Sequence, residues 1–200
     1  VTPLSLDWDA DDEFPISLSK VKAQLRIPHD EFDDLITDVH LPGAVNWAEG
    51  IMRRSILSKV HRWVIDEFPN GPIRLPRGKT ISISSVAYVS GGSTTTLRGP
   101  TSGSPIGTQY QEALRGNDGG ILMPLRNGAW PAVDYDVPAP ITITFTAGWA
   151  TASVPGDIKA AITQYVSDAL DITGAGDLGA NTNLCAKEIL LSSWTLTRWY

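Results

Sequence analysis

Apolar residues repeat at two different periods along this chain, and each change of period marks a boundary. Leu18, Val21 and Leu25 fall at helical spacing, which predicts a short helix with Ser17 at its N-cap and Pro28 as its end. Asp30 is placed to cap a second helix from Glu31 toward Arg54, whose apolar set is Phe32, Leu35, Ile36, Val39, Val45, Ala48, Ile51 and Met52. Pro42-Gly43 lies within it. Proline removes a backbone donor and crowds the preceding turn, so a kink or break is expected there.

From Leu57 the period shortens. VHRWVIDEF is rich in β-branched and aromatic residues, and a short strand lies within FPNGPIRLP. TISISSVAYV alternates through Ile81 and Ile83, then resumes at Val86 and Tyr88; GGSTTT after it reads as a turn or loop. Residues 98–120 hold many Gly, Pro, Ser and Thr and read as a long excursion. ILMPL follows as a strand, NGAWP as a turn, and ITITFTAGW as a strand that alternates through Ile141, Ile143 and Phe145. Gly148 releases that strand, and Pro155 suits the first turn of a helix. The helix carries Ile158, Ala161, Ile162, Tyr165, Val166 and Ala169 on one face. A glycine-rich loop, ITGAGDLGANTN, leads to Asn183, a cap for a last helix through Leu184, Ile189, Leu190 and Trp194, and the chain closes with TLTRWY.

The patterns divide the chain into an acidic N-terminal arm (1–16), N-terminal helices (17–56), a β-rich insertion of about five short strands (57–149), and C-terminal helices with a tail (155–200). Segregated blocks of helix and strand predict an α+β fold in one compact domain. In it the N- and C-terminal helices form a helical bundle around an inserted block of short antiparallel β-strands.

Composition sets outer bounds. With 200 residues, 42% hydrophobic and 19% charged, the chain is expected to be globular and to bury a core. No apolar run reaches the roughly 18 residues of a membrane span, and the N-terminus lacks the basic flank and apolar core of a secretory signal. Net charge is −6, of which five charges sit on Asp7, Asp9, Asp11, Asp12 and Glu13. No domain-wide basic field is present to hold nucleic acid tightly. The single cysteine, Cys185, excludes an internal disulfide; among Leu184, Ala186 and Ile189 it reads as a small buried hydrophobe in a reducing compartment.

Candidate chemistry is sparse. Asp7, Asp9 and Asp11 match the first three ligand positions of an EF-hand loop, but Asp12 stands where glycine is needed and Leu18 where a bidentate glutamate is needed. His29, His40 and His61 have no zinc spacing, and no hydrolase, zinc-protease or P-loop motif occurs. No metal, cofactor or catalytic residue is expected. Seven tryptophans are the notable feature. Trp63, Trp130 and Trp149 on a β block offer a stacking platform for a glycan or other ligand, a non-catalytic binding module. Trp194, Arg198, Trp199 and Tyr200 crowd the C-terminus, either as a contact surface or folded back onto the core.

Several segments, in order, resemble the head–tail connector proteins of tailed bacteriophages and gene transfer agents, also called adaptor or head-completion proteins. SLSKVKAQLRI followed by HDEFDDLI resembles the family's opening helices, and NWAEGIMRRSIL its next helix end. FPNGPIRLPRGKTISISSVAYV resembles its strand pair, NGAWPA its G-x-W-P turn, FTAGWATASVPGDIKAAI its strand-to-helix joint, and ILLSSWTLTRW its final helix. The likeness spans about residues 17–199. Two places depart from it: Lys79-Thr80 stands where Pro-Val is usual, and Pro42-Gly43 falls in a helix normally uninterrupted.

The resemblance implies a structural subunit, not an enzyme. It implies self-association into a ring, commonly a dodecamer, that docks on the portal protein and offers a platform to a tail-side, stopper- or terminator-like protein. DNA would pass through the channel without specific binding. It places the chain at the head–tail junction of a virion or gene transfer agent particle, made in the bacterial cytoplasm, and implies that Trp194, Arg198, Trp199 and Tyr200 reach the portal.

Overall fold

The computed structural model describes residues 13–100, 107, 109–173 and 188–196. They divide into a β unit, Ser58–Gly148, and a helical unit that joins the segment ending at Leu57 to the segment beginning at Trp149.

The helical unit begins with α1, Leu18–Leu25, preceded by Ser17 in extended conformation. Ser17 holds the cap position through its carbonyl, which accepts from Lys20 and Val21, while its hydroxyl pairs with that of Ser19 instead of a backbone N–H. Arg26 (φ 57°) ends the helix in a left-handed turn, with the Ile27 N–H reaching back to Lys22 O at 3.0 Å. Asp30 does not cap with its side chain. Its carboxylate pairs with Lys22 Nζ at 2.5 Å, which Asp33 also meets at 2.6 Å.

The helical path then runs through α2 (Asp33–Leu35), a π-helical turn (Ile36–His40) and α3 (Leu41–Met52). Of the kink or break expected at Pro42, the break does not occur. A proline inside a regular α-helix would crowd the carbonyl four residues back, here that of Asp38. The chain instead widens by one residue per turn over 36–40, with Leu41 N–H bonded to Ile36 O, and Pro42 enters in the first turn of α3. Buried Leu41, Ala44, Val45, Ala48 and Met52 form one face of α3. Its counterpart is α4, Gly156–Thr173, which buries Ile158, Ala161, Ile162 and Val166. Val21, Ile36, Ile56 and Leu191 complete this core.

The β unit holds seven strands: β1 (Lys59–Ile65), β2 (Ile73–Arg74), β3 (Thr80–Ser90), β4 (Ser93–Thr96), β5 (Tyr110–Leu114), β6 (Gly120–Pro124) and β7 (Ile141–Ala147). They form two antiparallel sheets, ordered β1-β7-β3-β4 and β2-β6-β5. Two strands exceed the sequence expectation. In GGSTTT, Gly91 (φ 60°) and Gly92 (φ 72°) alone make the turn, and the rest is β4. β5 closes the segment read as an excursion. The alternation of β7 places Ile141, Ile143 and Phe145 wholly inside, over Val86, Ile65, Ile73 and Leu122.

The phase change within β3 has a structural cause. Register shifts fall between Thr80 and Ser82 and between Ile83 and Ser85, so the strand changes which residues face inward. Ile81 is left exposed and Val86 is fully buried. Between the sheets, Gly120 N–H donates to Thr80 Oγ1 at 2.8 Å, and a Cβ on Gly120 would meet Leu75 and Thr80 at 3.0–3.1 Å. Only glycine gives this close approach without displacing them.

Candidate functional site

The described end of the chain is held by the end of α3. Arg53 (φ 55°) terminates that helix in a left-handed turn and sends the backbone onward through Arg54 to Leu57. Two charged side chains lie inside: Glu49 is 7% exposed and Arg54 5%. Glu49 Oε1 accepts the Ile56 N–H at 2.8 Å. Ile56 O in turn accepts the Trp149 N–H at 3.0 Å, and Leu57 and Trp149 form a parallel bridge. Gly148 (φ 123°) turns the chain out of β7 directly before that bridge.

Residues 188–192 are helical, and Leu191 is fully buried. Past that helix the chain is pinned. Arg54 Nε donates to Trp194 O, and Leu196 N–H donates to Met52 O at 3.0 Å. The Trp194 ring meets Trp149 edge to face at 5.8 Å. Trp194 is half-buried, and its Nε1, enclosed by the protein, has no hydrogen-bond partner among the described residues. Arg198, Trp199 and Tyr200, and with them Cys185, the Asn183 cap and the acidic residues Asp7, Asp9, Asp11 and Asp12, lie outside the described residues. Sequence reasoning missed Glu49 and Arg54. Their signal was a charged residue at a position the helix turns inward (Glu49, beside Ala48 and Met52) and another just past the helix end.

The three tryptophans of the stacking platform belong to different cores. Trp149 belongs to the helical core, whereas Trp63 and Trp130 pack on the β core. Trp130 stacks on Phe68 with centroids 5.0 Å apart and donates its Nε1–H to Gly71 O at 2.9 Å. Tyr88 meets Phe68 edge-on. The Trp130 ring is thus stacked on a ring of its own chain.

The histidines are dispersed as well. His29 lies against Phe32, His40 sits in the π turn, and His61 is buried in β1 against Phe145. Burial, with the positive charges of Arg77 and Lys59 beside it, pushes His61 down to about 4, so it is neutral at pH 7. Among the described residues no three metal-ligating side chains converge. None of the described helices is long and apolar enough to cross a membrane.

A second constructed feature lies in the β unit. Asp134 Oδ1 and Oδ2 accept the N–H groups of Gly91 and Gly92 at 2.9 and 2.8 Å, clamping the β3–β4 turn. These bonds hold the carboxyl below its ordinary range. The following residue, Tyr135, is 84% exposed.

No family model and no curated protein matches the chain. Solved structures do. A chain from the neck of an empty GTA particle with C6 symmetry aligns at TM-score 0.78 and 15% identity, over 100% of this chain and 98% of that one. A chain from the neck of a native GTA particle with C12 symmetry aligns at 0.68 and 15%, over 98% of each. One from the virion of a native gene transfer agent (GTA) particle aligns at 0.73 and 16%, again over 98% of each. At this identity the likeness is one of fold, and across its whole length this chain has the fold of those GTA-particle chains.

Proposed function

We propose that the protein is a structural head–tail connector subunit, which assembles into a ring joining the portal to tail-side proteins and lets DNA pass through its channel. The observation that carries this reading is the full-length match in fold to chains of a GTA neck. The order of connector-like motifs along residues 17–199 points the same way, from sequence alone. The C6 and C12 symmetry of those necks favours a ring, read here as a dodecamer. In this reading the helices of 17–56 and 155–200 form the body, the β-rich insertion of 57–149 is a second unit of the same subunit, and the arm of 1–16 precedes them in the chain. The work is done by surfaces, not by chemistry at a reacting atom, and its place is the head–tail junction of a particle.

An acidic balance suits a conduit, because phosphate binding scales with Lys and Arg contacts. The portal-facing surface is assigned to the C-terminal end. Trp194 belongs to it through its accessible part, and Arg198, Trp199 and Tyr200 extend it.

The test is capture of the tagged full chain from particle-producing cells, with mass spectrometry of what comes along. A portal and a tail-side protein are the expected companions; recovery of neither, from cells shown to be making particles, overturns the reading. Removing residues 197–200 spares the bonds of Trp194 and Leu196. It should leave the unfolding midpoint unchanged and lower portal recovery; unchanged recovery would overturn the assignment of the tail.

A further inference from the structure

Two features of the described surface are complementary. The first is the turn around Tyr135. Its base is fixed on both sides: the Asp134 carboxylate takes the Gly91 and Gly92 N–H groups, the Asp134 N–H donates to Val89 O at 3.1 Å, and the Val137 N–H donates to Asp134 O. A tyrosine ring is therefore held out in water on a pre-formed turn, next to the exposed carboxylate of Asp136. In interfaces tyrosine is an enriched anchor, and a turn already ordered loses little freedom on docking.

The second feature is a cleft of about 730 Å³ in the helical unit. Phe14, Leu18, Leu41 and Ala152 give it apolar walls. Lys20 and Lys159 line it as cations, with Glu13 as its one carboxylate. Neither lysine has an ion-pair partner among the described residues. An apolar cleft with two ammonium groups against one carboxylate carries a net positive charge and fits an aromatic side chain flanked by a carboxylate.

We propose that the Tyr135 turn of one copy docks in this cleft of a second copy, with the ring against the apolar walls and Asp136 toward Lys20 and Lys159. Knob and cleft are different surfaces of the same chain, so the contact is heterologous. Every copy offers both, so the contact repeats from copy to copy and makes a ring where its rotation closes. The proposal rests on the structural-subunit reading in supplying the surfaces for its ring, but its test needs no portal.

The isolated full chain is followed by sedimentation velocity over a concentration series. Wild type is expected to self-associate, and Tyr135→Ala to weaken that association about tenfold or more. Asp136→Lys and Lys159→Asp should each weaken it, and the two reversals combined should restore it, which a merely structural role would not produce. Circular dichroism checks that each variant is folded. Wild type that stays monomeric throughout, Tyr135→Ala that associates like wild type, or folded reversal variants that show no mutual rescue would each overturn the contact. Loss of association on deleting residues 1–12, with Tyr135→Ala unaffected, would hand the cleft to the acidic arm and also overturn it. Failed portal capture with association intact removes the connector reading and leaves the contact; portal capture with association indifferent to Tyr135 does the reverse.

Discussion

The two units reach stability by different routes. Among the described residues the β unit is one continuous run of chain, residues 58–148, with eight Lys and Arg against six Asp and Glu. The rest of the chain carries eight against sixteen, so all of the acidic excess lies outside the β unit. The β core is made of branched aliphatic and aromatic residues, and only β3–β4 and β5–β6 pair as sequence neighbours; β7 returns to pair with β1 and β3, and β6 with β2. The helical core is assembled from two segments separated by the whole β unit, and α3 meets α4 only after that interval. Both units therefore rest on non-local contacts, but the β unit closes its own within one run of chain, whereas the helical unit closes only across the whole of that run. The contrast also divides the labour. Buried polar hardware (Glu49, Arg54) fixes the joint and the chain's end in the helical unit, while the β unit presents its turns outward from a rigid scaffold.

The largest expected effect tests whether the cores are separate. Phe145→Ala removes a fully buried ring from the β core and should cost about 3–5 kcal/mol; Ile162→Ala removes a fully buried side chain from the helical core and should cost about 2–5 kcal/mol. Hydrogen exchange read by peptide is the measurement. Phe145→Ala should accelerate exchange in β1, β3 and β7 more than in α3 and α4, and Ile162→Ala the reverse. Equal acceleration everywhere under both changes would mean that the two units unfold as one.

How far the sequence revealed these units follows from where their signals lie. α4 and β7 were legible because every second or every third-to-fourth residue is apolar and the structure buries those positions. β4 was hidden because Ser93–Thr96 is wholly exposed, so no apolar alternation exists to see. The two glycines masked the β-branched threonines beside them. The double phase in TISISSVAYV was visible, but its meaning, two register shifts that leave Ile81 outside, depends on pairing with β7. Pro42 was visible too. A π turn able to absorb it is a backbone solution that side-chain patterning does not encode. For the candidate site, the end of the chain stood out by its aromatics. The hardware that holds its described part did not, because Glu49 and Arg54 read as ordinary surface charges until the fold buries them. Asp134 and Gly91-Gly92 lie some forty residues apart, and only the fold joins them.

The second effect sharpens the contrast through pH. His61 lies in the β unit, and its folded value of about 4 is below the usual 6.5. Between those values the unfolded chain holds the proton and the folded chain does not. Stability from this residue is therefore fully present above about pH 6.5 and is lost as pH falls toward 4, by about 3 kcal/mol in all. Urea midpoints from pH 7 to 4 should fall more steeply for wild type than for His61→Asn. Parallel pH profiles for the two proteins would show that His61 is not the group responsible.

The smallest effect on stability carries the most weight for assembly. Asp134 uses one carboxylate oxygen for each of two N–H groups. Asp134→Asn keeps the shape but offers one acceptor oxygen and an amide group, so only one of the two turn donors is satisfied in the same geometry. Global unfolding should barely change, because the clamp lies at the surface. Protection of the Gly91 and Gly92 amides should fall, while the Ile56 amide held by Glu49 in the helical unit should not move. In wild type the clamp contributes above the ordinary carboxylate range and is lost as pH drops through the depressed value of Asp134, so acid should loosen the same two amides. Proton exchange by NMR on both proteins reads this directly. If the turn loosens and self-association weakens with it, the fixed base of Tyr135 is what makes it an effective anchor. If the turn loosens and association is unchanged, the tyrosine docks without needing to be held, and the advantage of pre-ordering does not apply at this surface.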